Sequence, residues 1–137
     1  MLFRSDGIIA LLVSPDGKRL VVWAADKTPD GKYYLSPIDG TKSNPIPGLE
    51  TGEVPIQWSA DGRGLYVLGS GDFTTNIYWI DVASGRRDLR KEIVPDQVGF
   101  LGLEVTPGGI QITPDGKSYV YTYWTALRDL FLAEGLK

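Results

Sequence analysis

All-β is the fold class this sequence predicts, in the form of a four-stranded antiparallel sheet repeated along the chain. Three observations carry that expectation. The stretches "SPDGKRLVV" (Ser14 to Val22), "SADGRGLYV" (Ser59 to Val67) and "TPDGKSYVY" (Thr113 to Tyr121) write the same hairpin three times. The first two start 45 residues apart and the last two 54, and a second landmark, Gly40 in "PIDGTK" against Gly85 in "VASGRR", also keeps a spacing of 45. A period near 45 is that of a four-stranded propeller blade. Finally, 17 glycines and 9 prolines in 137 residues interrupt the chain too often for long helices.

The elements follow in order. In blade 1 (about 8–47), "IIALLV" is the inner strand and "RLVVWA" the second, joined by Pro15-Asp16-Gly17. Proline presets φ for the first corner, Asp16 accepts backbone N–H groups, and Gly17 takes the left-handed conformation. The third strand is "YYLSPI", Tyr33 to Ile38, and a short fourth follows the Asp39-Gly40 turn. "TPDGK" at Thr28 to Lys32 repeats the turn chemistry only 14 residues after the first motif, as the bend between the second and third strands requires.

Blade 2 (about 54–92) repeats the scheme with "VPIQW", "GLYVLG", "NIYWIDV" and "RRDL", turning at Asp61-Gly62. A long connection, 93–107, rich in Gly and apolar residues, accounts for the extra nine residues before blade 3 (about 108–137). That last blade has "GIQIT", the Asp115-Gly116 turn, "SYVYTYW" and a third strand "DLFLAEGL", and lacks its outer strand. The expected architecture is an incomplete ring of about three blades.

Composition narrows the partners. With 14 Lys plus Arg against 17 Asp plus Glu, the net charge of −3 provides no basic field for a nucleic-acid backbone. The basic cluster Arg86, Arg87, Arg90, Lys91 is interrupted by Asp88 and Glu92, which marks a solvated surface, with an anionic ligand as the sharper alternative. The apolar run Ile8 to Val13 falls far short of the roughly 20 residues of a membrane-spanning helix, so no membrane segment is expected. "MLFRSDG" lacks the features of a signal peptide, which places the chain in the cytoplasm if it is expressed alone.

Catalytic chemistry finds no foothold. There is no histidine and no cysteine, so triads, thiolates and the usual zinc ligands are missing, and no cofactor is expected. Asp16, Asp61 and Asp115 occupy equivalent turn corners, where a carboxylate caps its own hairpin rather than holding a metal. Aromatic side chains are plentiful. Trp58, Trp79 and Trp124 are the candidate binding platform at the channel mouth, although packing between blades is the more ordinary use of such residues.

The [ST]-[PA]-D-G-[KR] turns followed by "LVV", "LYV" and "YVY" resemble the TolB-like, WD-type repeats of bacterial propellers. "IPGLETGEVPIQWSADGRGLYV", "YWIDVASGRRDLRKEIVPDQVGFLG" and "ITPDGKSYVYTYWTALRDLFLAEGLK" are similar to the C-terminal propeller of eukaryotic-like serine/threonine protein kinases of acidobacterial type. The resemblance implies a sensor or binding module that follows a kinase domain and a membrane-spanning segment, extracytoplasmic in such a parent. The kinase itself does not carry over: a Gly-rich phosphate loop and a His-Arg-Asp loop are lacking, and "GDFTT" lacks the Gly of the metal-binding Asp-Phe-Gly. The alternative is an accessory propeller that gates or supports a separately encoded hydrolase. A neighbouring reading frame with a kinase domain favours the first, and one with a catalytic Ser-His pair the second.

Three units leave two raw flanks, so the partner expected is a second copy in a homo-oligomer, or the rest of a larger propeller, with "MLFRSD" as a donor strand. We expect no phosphotransfer to protein substrates with ATP and magnesium. Incorporation of labelled phosphate that co-purifies with the chain would refute this.

Overall fold

The computed structural model describes residues 7–25, 31–70, 74–94, 100–103 and 109–125, with the backbone alone at 70, 100–103 and 123–125. The first sheet holds β1 (Ile8–Val13), β2 (Arg19–Ala24), β3 (Lys32–Pro37) and β4 (Asn44–Pro45) in that spatial order, all antiparallel. The second holds β5 (Val54–Trp58), β6 (Gly64–Ser70), β7 (Thr75–Asp81) and β8 (Arg87–Ile93), again as a meander. The chain is all-β, and these sheets are two blades of a partial propeller. The third blade's "DLFLAEGL", the segment "MLFRSD" and most of the Thr28–Lys32 turn lie outside the described residues.

Two two-stranded ladders follow, and here the structure departs from expectation. The stretch read as a connection carries β9 (Phe100–Leu103), and "SYVYTYW" divides at Thr122 instead of forming one strand. β10 (Ile110–Ile112) pairs with β11 (Tyr119–Tyr121), while β12 (Tyr123–Thr125) pairs with β9. The Thr122 N–H donates to the Gly109 carbonyl at 2.8 Å and carries the ladder across the division. Glycines in "GFLGL" argue locally for a loop; a partner strand about twenty residues downstream overrides that preference, because strand formation answers to cross-strand packing more than to intrinsic propensity.

The repeat extends to an irregularity. β1 pairs with β2 through a register shift between Ala10 and Leu12, and β5 with β6 through one between Pro55 and Gln57. The extra residues, Leu11 and Ile56, are again 45 apart. Pro55 has no N–H to give a ladder, and an edge strand at a bulge is where a sheet tolerates it.

Two apolar clusters hold the blades together. Val21 and Ile46 of blade 1 bury against Trp58, Leu65, Val67, Ile80 and Val82 of blade 2, with Leu12, Leu35 and Tyr33 packed beside them. On the opposite side, Tyr66, Leu68, Ile77 and Ile93 of blade 2 meet Ile110 and Ile112 of blade 3. Period-two alternation in β6 sends Leu65 and Val67 one way and Tyr66 and Leu68 the other. Arg19 bridges the first seam, with its guanidinium 4.8 Å from the Trp58 ring centroid and donating to the Gly62 carbonyl at 2.6 Å. The Ala60 N–H, donating to the Pro114 carbonyl at 2.9 Å, bridges the second.

The three motif glycines all have positive φ, 70° at Gly17, 70° at Gly62 and 71° at Gly116. Their surroundings differ: a Cβ at Gly17 would stand in open space, whereas one at Gly116 would collide with the Tyr66 hydroxyl. Valine at either position therefore costs about 1–3 kcal/mol of backbone strain, and Gly116→Val should lose more because Tyr66 must also move. Urea unfolding of the two variants tests the ranking, and equal losses would contradict it.

Candidate functional site

Meander topology puts the β1–β2, β3–β4, β5–β6, β7–β8 and β10–β11 turns at one end of their blades. Each motif turn there is the same network. The Ser14 hydroxyl donates to Asp16 Oδ1 at 2.6 Å and accepts the Arg19 N–H at 2.9 Å, while the Lys18 N–H donates to Asp16 Oδ1 at 3.0 Å. Ser59 repeats this with Asp61 at 2.7 Å and the Gly64 N–H at 3.0 Å, and the Arg63 N–H reaches Asp61 at 3.0 Å. In the third copy Thr113 donates to Asp115 at 2.5 Å and accepts from Ser118 at 3.1 Å, with the Lys117 N–H on Asp115 at 3.0 Å.

These bonds lower the three carboxyl pKa values below the ordinary Asp value. The hydroxyl from Ser14, Ser59 or Thr113 is the largest cause and the backbone N–H the next. Asp81 is held down as well, by the N–H groups of Ser84 and Ala83 at 3.0 and 2.9 Å. The aspartates thus serve their own turns. Among the described residues no three acidic side chains gather as metal ligands.

Between the turn ends of blades 2 and 3 lies a cavity of about 560 Å³. Tyr66 and Trp79 line it with Asp61, Asp81 and Asp115, and Arg63, Arg86 and Arg90 stand at its rim. Two of the guanidiniums are largely in water, Arg63 at 72% and Arg86 at 71% side-chain exposure, with Arg90 at 50%. Their ion pairs are loose or external: Arg63 to Asp81 at 3.6 Å, Arg90 to Asp88 at 3.8 Å, and Arg86 to Asp88 at 3.0 Å. Arg90 also lies over the Trp79 ring at 5.5 Å. Burial raises the Tyr66 pKa, with Arg90 opposing and Asp115 and Asp61 reinforcing the shift.

The sequence-derived candidates separate accordingly. Trp58 is 1% exposed and belongs to the seam between blades 1 and 2, so it offers no platform to a ligand. Trp79 lines the groove. Trp124 lies in β12, and its side chain is outside the described residues. The basic cluster does not act as one surface: Arg87 turns away from the groove to a bidentate pair with the buried Glu53, at 2.7 and 2.5 Å, while Arg86 and Arg90 face it. Arg63 escaped sequence reasoning, and Tyr66 was not singled out from the many aromatic side chains. Their signal was the blade register, which brings the residues after the Asp61 turn next to the Asp115 turn.

No protein-family model and no curated protein matches this sequence. Among solved structures the chain is similar to TolB from Acinetobacter baumannii, with a TM-score of 0.52 at 14% identity over 85% of this chain. It spans 32% of that chain, about a third of its length. The likeness is one of fold, a set of TolB-like blades.

A carboxyl whose folded pKa is below its unfolded value gives stability that is whole above the unfolded value, about 3.9, and is lost as pH falls through the lower folded one. Stability should therefore hold down to about that pH and then decline. The triple variant Asp16→Asn, Asp61→Asn, Asp115→Asn keeps an acceptor in each turn but has no charge to titrate, so its acid decline should be shallower. Denaturant midpoints measured from neutral to acid pH would contradict this if both proteins declined equally.

Proposed function

We propose that the chain is a non-enzymatic binding module, part of a kinase-linked sensor propeller, and that it takes an acidic segment of a partner polypeptide into the groove between blades 2 and 3. One observation carries the reading: the groove's aspartates are committed to local turn bonds, whereas its three arginines keep much of their donor capacity toward solvent. Guanidinium groups bind carboxylates through two parallel hydrogen bonds, about twice as strong as neutral ones. A volume near 560 Å³ suits a few side chains rather than a whole domain, and the half-buried Trp79 supplies aromatic area beside the charges.

The kinase link is supported by the sequence resemblance alone, and it requires a kinase domain encoded upstream in the same reading frame. Ligand choice is tested by selecting a displayed random-peptide library on the immobilised chain. Enriched peptides should carry Asp or Glu next to an aromatic residue, and the triple variant Arg63→Ala, Arg86→Ala, Arg90→Ala should retain them at least tenfold less well. No enrichment, or equal retention by that variant, would overturn the proposal.

A further inference from the structure

Gly64 stands apart from the glycines of the motif turns. Gly17, Gly62 and Gly116 have positive φ, but Gly64 does not, so its backbone would take an L side chain without strain. Its surroundings would not: a Cβ there would overlap Cε2, Nε1 and Cζ2 of the Trp79 indole. Glycine inside a strand marks close approach to the backbone, and here the indole approaches β6 from its diagonal position on β7.

Blade 1 reverses the allocation of space. Ser14 Oγ accepts the Arg19 N–H as Ser59 Oγ accepts the Gly64 N–H, so Arg19 and Gly64 hold equivalent places. Leu35 lies across from Val21 as Trp79 lies across from Tyr66. The first seam thus combines a long side chain with leucine, and the second a glycine with tryptophan. Arg19 extends over Trp58, and the hollow that Arg19 and Leu35 wall measures about 290 Å³. At the second seam Trp79 lines a groove of about 560 Å³ and stays half-buried.

We propose that Gly64 is the specificity-determining residue of the groove: it seats the Trp79 indole in the wall, where an aromatic side chain of the acidic segment stacks while Arg90 holds a neighbouring carboxylate. This rests on the reading of the groove as a site for such a segment. The Arg90 guanidinium lies 5.5 Å from the indole centroid, so ring and cation meet a ligand side by side. With one cation already over the indole, an aromatic ring suits the remaining surface better than a second cation. Gly64 touches no ligand and acts through Trp79.

Two labelled peptides test this by fluorescence polarisation: Glu-Glu-Phe-Glu-Glu, and its counterpart with alanine in place of phenylalanine. The parent should favour the first about two- to tenfold, the usual range for an aromatic pair. Gly64→Ala should bind both peptides with the affinity that the parent shows for the second. Trp79→Leu, with Gly64 intact, should also lose the preference, which keeps the test open if Gly64→Ala does not fold. Denaturant midpoints add a readout without ligand: Gly64→Ala should destabilise the parent and be close to neutral in the Trp79→Leu background. A parent that binds neither peptide overturns the acidic-segment reading and this inference with it. Equal binding of both by the parent leaves that reading standing and overturns the aromatic seat. A folded Gly64→Ala variant that keeps the parent's preference overturns the role of Gly64.

Discussion

A four-stranded sheet has two faces, and neither can be left apolar in water unless a neighbour covers it. Blade 2 satisfies this condition on both sides. Its strand β6 buries four successive large side chains, Leu65, Tyr66, Val67 and Leu68, none more than 7% exposed. Each such burial contributes about 1.5–3 kcal/mol, so the middle blade is the keystone on which its two neighbours depend. The polar bridges across the seams, from Arg19 to Gly62 and from Ala60 to Pro114, set the relative placement of surfaces that the apolar contacts hold together.

Burial of both faces also explains why the turn motif had to be so exacting. A blade between two neighbours cannot slide, because a slip of one residue would send Leu65 and Val67 to the wrong side. The hairpin fixes the register through a closed set of bonds in which Ser or Thr holds both the Asp carboxylate and the N–H five residues on. That double duty requires a hydroxyl at 14, 59 and 113. Alanine there would leave a backbone donor without its partner and strip the carboxylate of one of its two donors, in a corner where Ser14 and Ser59 are buried.

How legible this was depended on the range of the interaction. Turns were plain in the sequence because Asp-Gly chemistry is local, and the spacing of 45 then implied the stacking of sheets. β9 was hidden because its strand character comes from β12, not from "GFLGL" itself. The role of Trp58 was ambiguous for a related reason: position in the repeat says that it faces a neighbouring blade, but only packing shows that nothing of it remains for a ligand. Glu53 gave no signal at all. It precedes β5 in an unremarkable acidic stretch, yet it is buried and holds Arg87 from 34 residues away while accepting the Glu50 N–H at 2.9 Å.

That ion pair divides the labour within "GRRDLRK". Arg87 goes to Glu53, lies 4.5 Å from the Tyr78 ring centroid and donates to the Gly48 carbonyl at 2.6 Å, so it belongs to the seam with blade 1. Arg86 and Arg90 go to the groove beside blade 3. The division is set by register: β8 pairs with β7 through a shift between Ile77 and Tyr78 that leaves Arg90 as the extra residue, free to lean over Trp79. The preceding turn anchors that register, with Asp81 accepting two N–H groups and Gly85 at φ 76° lying against Gly48 so closely that a Cβ on Gly48 would strike the Gly85 carbonyl. Groove-lining charge and structural charge therefore sit within four residues of one another, kept apart by one bulge and one glycine contact. Because a buried carboxylate left without its cation is costly, Glu53 holds Arg87 in the seam and leaves Arg86 and Arg90 to the groove.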